Sequence, residues 1–239
     1  MIAAAALCPA APLLARELTG RALVEPDLRA ACAEVTGRLV RARPDVIAVV
    51  GTGPQTRTWD SASRLDVAAF GGPAAAARAP AGGPPGTPGL PAPLGLGARL
   101  LDEAGYDGPR VLQAIGQDEP PAACTAAGER LSQSAGRVAL LVMADGSARR
   151  GRRAPGHLDE RSAGFDAGVE QAVRAGELEA LAGIDPVLAR ELMAAGRPAW
   201  QVLAGALAPG GTGLDAEVLY AGDPFGIAYL VASLMVTGV

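Results

Sequence analysis

Short apolar runs alternate along the chain with longer stretches in which apolar residues recur at helical spacing. The short runs predict strands at 2–7, 45–50, 110–115, 137–142 and 216–220. The longer stretches predict helices at 26–43, 94–104, 122–134 and 159–175, followed by a proline-punctuated helical series at 177–207. Strands that are apolar at nearly every position are typical of parallel sheets covered on both faces. The pattern therefore predicts an α/β fold, a single domain with a central, mostly parallel sheet flanked by helices.

Two patterns in the second half of the chain add detail. Asp159 stands where a helix N-cap is expected, just before an apolar periodicity. The residues that then share one helical face are Phe165, Val169, Ala172 and Val173. The last 15 residues, 225–239, are mostly apolar. Because a membrane-spanning helix needs roughly 20 such residues, this run predicts a buried core element instead.

One stretch breaks the pattern. In GGPAAAARAPAGGPPGTPGLPAP, residues 71–93, Gly or Pro occupies 13 of the 23 positions. Such a density disrupts regular structure, so the stretch predicts a loop or an insertion within the single domain formed by residues 1–239. It could serve as a lid over a pocket or as a surface excursion, and its composition favours the surface excursion.

The composition restricts the classes of partner. With 239 residues and 49% hydrophobic content the chain can bury a core, although aromatics are only 3% of it. The formal net charge is −4. Nucleic acids and anionic membranes both bind broad basic surfaces, so neither is expected as a partner.

The cysteines and the N-terminus predict a cytoplasmic protein. Cys8, Cys32 and Cys124 are an odd number without a CxxC pair, which is typical of free thiols in a reducing compartment. The N-terminal MIAAAALC is apolar but lacks the positively charged segment of a signal peptide, and Pro9 follows it at once.

Four loops follow predicted strands and carry the candidate chemistry. They are CPAAPLL (8–14), GTGPQTRTWD (51–60), GQDEPP (116–121) and ADGSARR (144–150). In an open α/β sheet, ligands bind outside the carboxyl ends of the strands, so we expect a site where these loops converge. The candidate ligand-binding residues are Thr52, Gln55, Asp145, Gly146, Ser147 and Arg149.

Common catalytic and nucleotide-binding motifs fit this chain poorly. GTGPQT lacks the GxGxxG spacing, and Pro54 lacks the N–H that would hold a phosphate. Ser147, His157 and an acid at Asp145 or Asp159 supply the residue types of a hydrolase triad. The serine lies in DGSAR, however, and not in the G-x-S-x-G turn. His157 is the single histidine, whereas a facial-triad iron site uses two histidines and a carboxylate.

The segment MADGSARRGRRAPGHLDER, 143–161, leaves two roles open for Arg149. It could pair with Asp145, or with another acid across the loops, as an internal brace, which would leave Arg150, Arg152, Arg153 and His157 solvated. It could instead bind a small carboxylate or phosphate, because a guanidinium suits bidentate oxyanions.

The chain resembles the class III extradiol ring-cleavage dioxygenases, specifically the subunit-B-like proteins of high-GC bacteria. The resemblance runs nearly end to end. It rests on CPAAPLLARELTG (8–20), VVGTGPQTRTWD (49–60), MADGSARRGRRAPGHLDERSAGFDAGV (143–169), GRPAWQVLAGAL (196–207) and DPFGIAYLVA (223–232). It implies a single α/β domain that, in active relatives, holds Fe(II) in a pocket at one end of the sheet.

This chain departs from the residues that the resemblance implies. Ala10 stands where a metal-binding histidine is expected, and the loop at 52–55 lacks the second one. The position expected for the carboxylate ligand falls near Gly196, where this chain has no acid. The segment ADGSARR stands where a catalytic histidine is expected. His157 lies further along, where relatives carry an aromatic residue. We therefore expect no Fe(II), no other metal and no cofactor.

Three interpretations of the protein's function remain, and they belong to different functional classes. In the first, the chain is a non-catalytic or catalytically divergent relative, a small-molecule-binding or partner-subunit protein with an anionic or aromatic ligand. It could then form a homo-oligomer or bind a partner subunit. In the second, it is a metal-independent hydrolase or lyase that uses the loop 145–157, with Asp145, Ser147 and His157 as catalytic candidates. A third, an active dioxygenase with unusual ligands, is opposed by the histidine count. The first interpretation, a non-catalytic or divergent relative, requires only that the expected metal-binding and catalytic residues are absent, so we favour it.

Overall fold

The computed structural model of the chain describes residues 1–19, 24–61, 63, 65, 89–208 and 213–237. Its strands are β1 (Ile2–Cys8), β2 (Val46–Gly53), β3 (Arg57–Trp59), β4 (Arg110–Gly116), β5 (Val138–Met143), β6 (Gly213–Gly222) and β7 (Tyr229–Thr237). Its α-helices are α1 (Arg16–Thr19), α2 (Pro26–Arg41), α3 (Ala92–Glu103), α4 (Pro121–Ser132), α5 (Arg161–Ala175), α6 (Leu178–Ala182), α7 (Pro186–Glu191) and α8 (Arg197–Leu207). A short 3-10 helix lies at Pro12–Leu14.

The described strands form one sheet in the order β3-β4-β2-β5-β1-β7-β6. The central strands β4, β2, β5 and β1 run parallel, and β3, β7 and β6 add antiparallel edges. Val142 of β5 lies opposite both Leu7 of β1 and Val50 of β2, so these three strands end at the same edge. The predicted α/β class with a central, mostly parallel sheet is confirmed.

The order of the central strands creates a crevice beside β5. The chain passes from β1 to β2, moves outward to β4, and then returns to place β5 between β2 and β1. Open α/β sheets bind ligands at such a reversal, outside the carboxyl ends of the strands.

Helices cover both faces of the sheet, α2 and α3 on one and α4, α5 and α8 on the other. Side chains of β5 point alternately into the two cores. Val138, Leu140 and Val142 join one core, and Ala139, Leu141 and Met143 join the other. Burial on both sides explains why this strand is apolar at every position.

Helix α8 is buried along its whole length because α4 and α6 cover its outer side. Its crossing with α4 depends on two glycines. A Cβ atom on Gly205 would overlap the carbonyl oxygen of Thr125, and one on Gly128 would overlap that of Val202. The two backbones are therefore closer than any side chain would allow.

The structure adds strands that the hydrophobic pattern does not predict. β3 has three residues, too few to show a periodicity. β7 lies within 225–239, and the prediction of a buried core element is confirmed for Tyr229 to Leu234, whereas Phe225 is exposed. None of the helices that the structure describes is long and apolar enough to cross a membrane.

The predicted start of α5 needs correction. The helix begins at Arg161 with Glu160 at the N-cap, so the assignment of Asp159 as N-cap is wrong. Asp159 still accepts a hydrogen bond from the Arg161 N–H over 3.0 Å, which satisfies one free amide of the first turn. The predicted apolar face is confirmed, and the residues that pack in the core are Phe165, Val169, Ala172 and Val173.

The glycine- and proline-rich stretch at 71–93 lies mostly outside the described residues. Its last residues are not a loop, because α3 begins at Ala92 and Leu90 forms a β-bridge with Leu65. The helix starts two residues before the predicted 94 because Pro93 is tolerated in a first turn, where its missing N–H has no helical partner to lose.

We predict that Gly205→Ala destabilises the protein by about 2 kcal/mol or more, because the added methyl group would force α4 and α8 apart. Urea unfolding followed by circular dichroism measures the effect. Gly164→Ala is the matched control, since a Cβ at this exposed position of α5 meets open space. It should raise the stability by roughly 0.5–1 kcal/mol, because Ala favours a helix over Gly. Equal effects would contradict the close crossing.

Candidate functional site

Three of the four candidate loops meet at the carboxyl ends of the parallel strands. The N–H of Ala10, after β1, donates to Oδ1 of Asp145, after β5, over 2.8 Å. The hydroxyl of Thr52, at the end of β2, donates to the carbonyl of Ala195, just before α8, over 2.6 Å. These bonds place candidate residues from three separate segments around one space.

The fourth loop, 116–121, is tied to α8 instead. Arg197 is 2% exposed, and its guanidinium donates to the main-chain carbonyls of Gln117 and Glu119. It also donates to the side-chain oxygen of Gln201 over 2.9 Å. A buried guanidinium needs such acceptors, so this loop satisfies Arg197 and does not line the space between the other three.

That space is a cavity of about 210 Å³, which we call the Asp145 cavity. Its walls include the apolar side chains of Ala10, Pro93, Met143 and Ala195, and Thr52 contributes a hydroxyl that is already bonded. Asp145 is the one ionisable residue among its lining residues. The cavity therefore presents a single carboxyl group in largely apolar surroundings.

The carboxyl group of Asp145 is held in an unusual state. Burial raises its pKa to about 6, and the hydrogen bond from the Ala10 N–H opposes the shift only in part. No described residue donates to the second oxygen, Oδ2. Burial, and after it the charge of Asp145, raises the pKa of Tyr229 above its ordinary value. A carboxyl group that titrates near neutral pH in a cavity is characteristic of functional sites.

The structure does not assemble the triad considered from the sequence. Ser147 is fully buried, and its hydroxyl donates to the Leu192 carbonyl over 2.7 Å and accepts from the Arg149 N–H over 3.1 Å. His157 is exposed, with a positive φ of 57°. The serine is therefore a structural residue rather than a nucleophile, and the loop 145–157 contributes Asp145 alone to the cavity.

Neither predicted role of Arg149 matches the geometry. It forms no ion pair with Asp145, which accepts from Ala10 instead, and it lines neither the Asp145 cavity nor the cavity that Arg150 and Asp166 line. Its Nε is buried without a hydrogen-bond acceptor. Arg150, expected to be solvated, pairs with Asp223 at 3.0 Å and lies 3.6 Å from Asp166.

The remaining candidate residues divide between the two sides of this edge. Gln55 is exposed, and Thr52 lines the Asp145 cavity. Gly146 faces the other way, where a Cβ atom would lie 2.5 Å from Oδ1 of Asp166 and 2.8 Å from the Cβ of Ala228. Its φ is not positive, so Gly is required here for close approach to these atoms and not for a left-handed turn.

Sequence reasoning missed Asp166. The buried face of α5 includes Ser162, Val169 and Val173, and Asp166 falls on that face at i+4 from Ser162 and i−3 from Val169. An acid on an otherwise apolar helical face was the signal available. Arg150 lies between Asp166 and Asp223, which follows β6, and no sequence pattern joins these three residues.

The residues around the Asp145 cavity do not fit Fe(II). The positions that the resemblance assigns to ligands are occupied by Ala10, by the loop containing Thr52, and by Gly196. A Cβ atom at Gly196 would lie 2.6 Å from the Asp145 carbonyl oxygen, so no acidic side chain fits there without displacement. Among the described residues, no three His, Cys, Asp or Glu side chains converge as a metal site would require.

Comparisons with known proteins identify neither a family nor a function for this chain. No protein-family model matches the chain, and no curated protein matches it. The crystal structure of an uncharacterized protein, JW3007, from Escherichia coli K12 aligns with 98% of this chain and 99% of its own. The two are 15% identical, with a TM-score of 0.48, and this likeness carries no argument about activity.

We predict that Asp145→Asn stabilises the protein at pH 8 by about 1–2 kcal/mol and has little effect at pH 4. The pKa of Asp145 is raised from 3.8 to about 6, so the folded state binds a proton more tightly than the unfolded state. Its contribution to stability is favourable at low pH and is lost as the pH rises from about 4 through about 6.

The amide variant keeps an acceptor for the Ala10 N–H and removes the buried charge. Urea unfolding at both pH values measures the difference. Asp118→Asn, which alters an exposed carboxylate paired with Arg190, is the control and should show no such dependence. A loss of stability at pH 8 would mean that the ionised carboxylate has a stabilising partner.

Proposed function

We propose that this chain is a metal-free relative of the class III extradiol ring-cleavage dioxygenases, of the subunit-B-like kind, that binds a small hydroxylated aromatic molecule without cleaving its ring. The observation that carries the proposal is the Asp145 cavity. It lies where the resemblance places the metal pocket, yet it offers a single carboxyl group among small apolar residues.

The position of the cavity supports a binding role. Ala10, Thr52 and Asp145 follow three different strands and reach the same space at the carboxyl ends of the sheet. This is the place where open α/β folds bind ligands whatever their chemistry. Loss of metal-binding side chains changes what can be held there and leaves the space open.

The lining of the cavity defines the class of ligand. Its apolar walls favour a hydrocarbon or aromatic body, and Oδ2 of Asp145 can accept one hydrogen bond from it. A dry cavity of roughly 150 Å³ can hold benzene, so about 210 Å³ accommodates one substituted ring. An anionic ligand is disfavoured because the nearest ionisable group is an acid and Arg149 does not line the space.

The carboxylate itself supports a functional role. Asn would accept the same hydrogen bond from the Ala10 N–H without the penalty of a buried charge. The fold therefore does not need an ionisable group at this position. A destabilising buried charge in a cavity is typical of residues that act on a ligand.

A second candidate function is a metal-independent enzyme that uses Asp145 as a general base. The observation in its favour is the pKa of about 6, which suits proton transfer near neutral pH. Ser147 and His157 do not join it, because one is buried and already bonded and the other is exposed. The candidate thus depends on a single side chain, and we place it second.

We expect no stoichiometric iron or zinc after anaerobic incubation with Fe(II) or Zn(II) and removal of the excess by gel filtration. One carboxylate cannot hold either ion against water without further ligands. Metal quantification and a catechol ring-cleavage assay measure the outcome. One tightly held iron per chain together with cleavage of catechol would establish an active dioxygenase with unusual ligands and overturn the proposal.

We expect phenol and catechol to bind in the presence of a chelator, as measured by isothermal titration calorimetry, and to raise the melting temperature. Benzoate should bind at least tenfold more weakly because its charge would lie beside Asp145. Ala10→Leu fills the cavity while keeping the main-chain N–H, and should weaken phenol binding at least tenfold. Ala163→Leu, a matched substitution at an exposed position of α5 away from this cavity, should not.

The same experiment separates the two candidate functions. Unchanged affinity in Ala10→Leu would place the ligand elsewhere and remove the support for the proposal. Conversion of a bound compound, lost in Asp145→Asn and accelerating as the pH rises through about 6, would favour the general-base enzyme over the binding protein.

A further inference from the structure

The loop 148–159, ARRGRRAPGHLD, is strongly basic although the chain as a whole is acidic. It contains four arginines and one acid, whereas the formal net charge of the whole chain is −4. Arg149, Arg152 and Arg153 form no ion pair with any residue that the structure describes, and the last two are exposed. This segment, which we call the arginine loop, therefore presents positive charge that the described part of the fold leaves uncompensated.

The arginine loop is closed by its own main-chain hydrogen bonds. The Gly156 N–H donates to the Ala148 carbonyl over 3.0 Å, and the Asp159 N–H donates to the Arg149 carbonyl over 3.1 Å. Ala154, near the middle of the loop, is buried. A loop that is already ordered in this way loses little conformational entropy when a partner binds to it.

Five large apolar side chains are exposed in the described part of the chain, and three of them border the arginine loop. These three are Leu158 (49% exposed), Met193 (44%) and Phe225 (48%). Leu158 belongs to the loop itself. A Cβ atom at Gly156 would lie 2.5 Å from the sulfur of Met193, and one at Gly226, next to Phe225, would lie 2.6 Å from the Ala154 Cβ. The segments that carry Met193 and Phe225 therefore pack directly against the loop.

The apolar side chains and the free guanidinium groups lie within reach of one short segment of a partner. Ala154 and Leu158 are four peptide units apart, so their Cα atoms lie within about 15 Å of each other. Arg152 and Arg153 directly precede Ala154. Because an extended chain rises about 3.3 Å per residue, roughly five to eight residues would contact both ends of this surface.

The combination of positive charge and apolar exposure defines the chemistry of the partner. Guanidinium groups pair well with carboxylates, and clustered apolar side chains at a surface are typical of sites that bind proteins. Arginine, methionine and phenylalanine are all enriched in protein–protein interfaces. A nucleic acid is disfavoured, because it binds broad basic surfaces, whereas this loop ends at Asp159 and is followed by the exposed Glu160.

We propose that the arginine loop, together with Met193 and Phe225 beside it, docks a protein segment in which acidic and apolar residues are interspersed. The carboxylates of that segment would pair with Arg152 and Arg153, and its apolar side chains would pack on Leu158, Met193 and Phe225. The inference does not rest on the function proposed for the Asp145 cavity, because none of these five residues lines that cavity.

The test uses a fluorescein-labelled synthetic peptide made of three Glu-Glu-Leu-Phe repeats. Two control peptides separate its features. In one, every Glu is replaced by Lys, and in the other, every Leu-Phe pair is replaced by Gly-Ser. Fluorescence anisotropy on titration with the whole chain measures binding, at about 50 mM salt so that screening of the surface charges stays weak.

We expect the peptide with both acidic and apolar residues to bind at least tenfold more tightly than either control peptide. Arg152→Glu and Arg153→Glu should each weaken its binding at least threefold. Arg130→Glu makes the same change of charge at an exposed arginine of α4 and should leave the affinity unchanged.

The apolar contacts have their own matched variants. Met193→Ala and Phe225→Ala should each weaken binding of the same peptide at least threefold. Val187→Ala removes an equally exposed apolar side chain from α7, away from the loop, and should have no effect. Circular dichroism checks that every variant is folded, which we expect because all the substituted side chains are exposed.

Several outcomes would overturn the proposal. Absence of peptide binding, or binding that survives both arginine substitutions, would mean that this surface docks no such segment. Equal affinity for the Gly-Ser peptide or for a single-stranded oligonucleotide would mean that negative charge alone is recognised. Self-association in analytical ultracentrifugation that is lost in Arg153→Glu would assign the surface to a second copy of the chain. Phenol binding should be unchanged in Arg152→Glu, so failure here leaves the proposal for the Asp145 cavity untouched.

Discussion

The segment 144–147, directly after β5, fixes the geometry of this edge of the sheet through its main-chain hydrogen bonds. Its donors and acceptors bond to four separate parts of the fold, at distances of 2.8 to 2.9 Å. The N–H of Ala144 donates to the Cys8 carbonyl, and the Asp145 carbonyl accepts from the Gly196 N–H. Ala228 bonds to the Gly146 N–H through its carbonyl and to the Ser147 carbonyl through its N–H. The Ser147 N–H donates to the Asp166 carboxylate. Because main-chain groups in a largely buried segment are costly to leave unpaired, the segment has little freedom, and one cavity forms on each side of it.

The carboxyl groups of Asp145, within this segment, and of Asp166, beside it on α5, are held in the same way. Asp145 and Asp166 each bind a main-chain N–H through Oδ1 and leave Oδ2 without a donor. Burial raises the pKa of each to about 6. They differ in their surroundings. Asp145 has apolar neighbours in its cavity, whereas Asp166 lies near Arg150 and Asp223, so the two carboxyl groups have different electrostatic surroundings.

Small residues occupy the places where the resemblance assigns metal ligands. Ala10 lines the cavity with a methyl group where a histidine would place an imidazole. Gly196 lies so close to the Asp145 carbonyl that no side chain fits there. A divalent cation would attract negatively charged oxygens, whereas one carboxyl group in apolar walls attracts a neutral donor. A site built from loops on a rigid sheet can change its ligand class through loop side chains alone, without a change of fold.

The periodicity of apolar residues by itself determined the α/β class, the central strands and most helices, because burial on two faces leaves a local signature in sequence. It also predicted that Asp145 and Thr52 lie at the same edge of the sheet, because the carboxyl ends of neighbouring parallel strands lie side by side. It could not show that Ser147 would be buried, that Arg150 rather than Arg149 would find acids, or that Asp166 and Trp200 would share a cavity. Those outcomes depend on contacts between residues 19 to 73 positions apart, such as Ser147 with Asp166 and Arg150 with Asp223. Only tertiary packing decides which side chain is enclosed and which remains without a partner, because hydrogen bonding and desolvation act on neighbours in space and not in sequence.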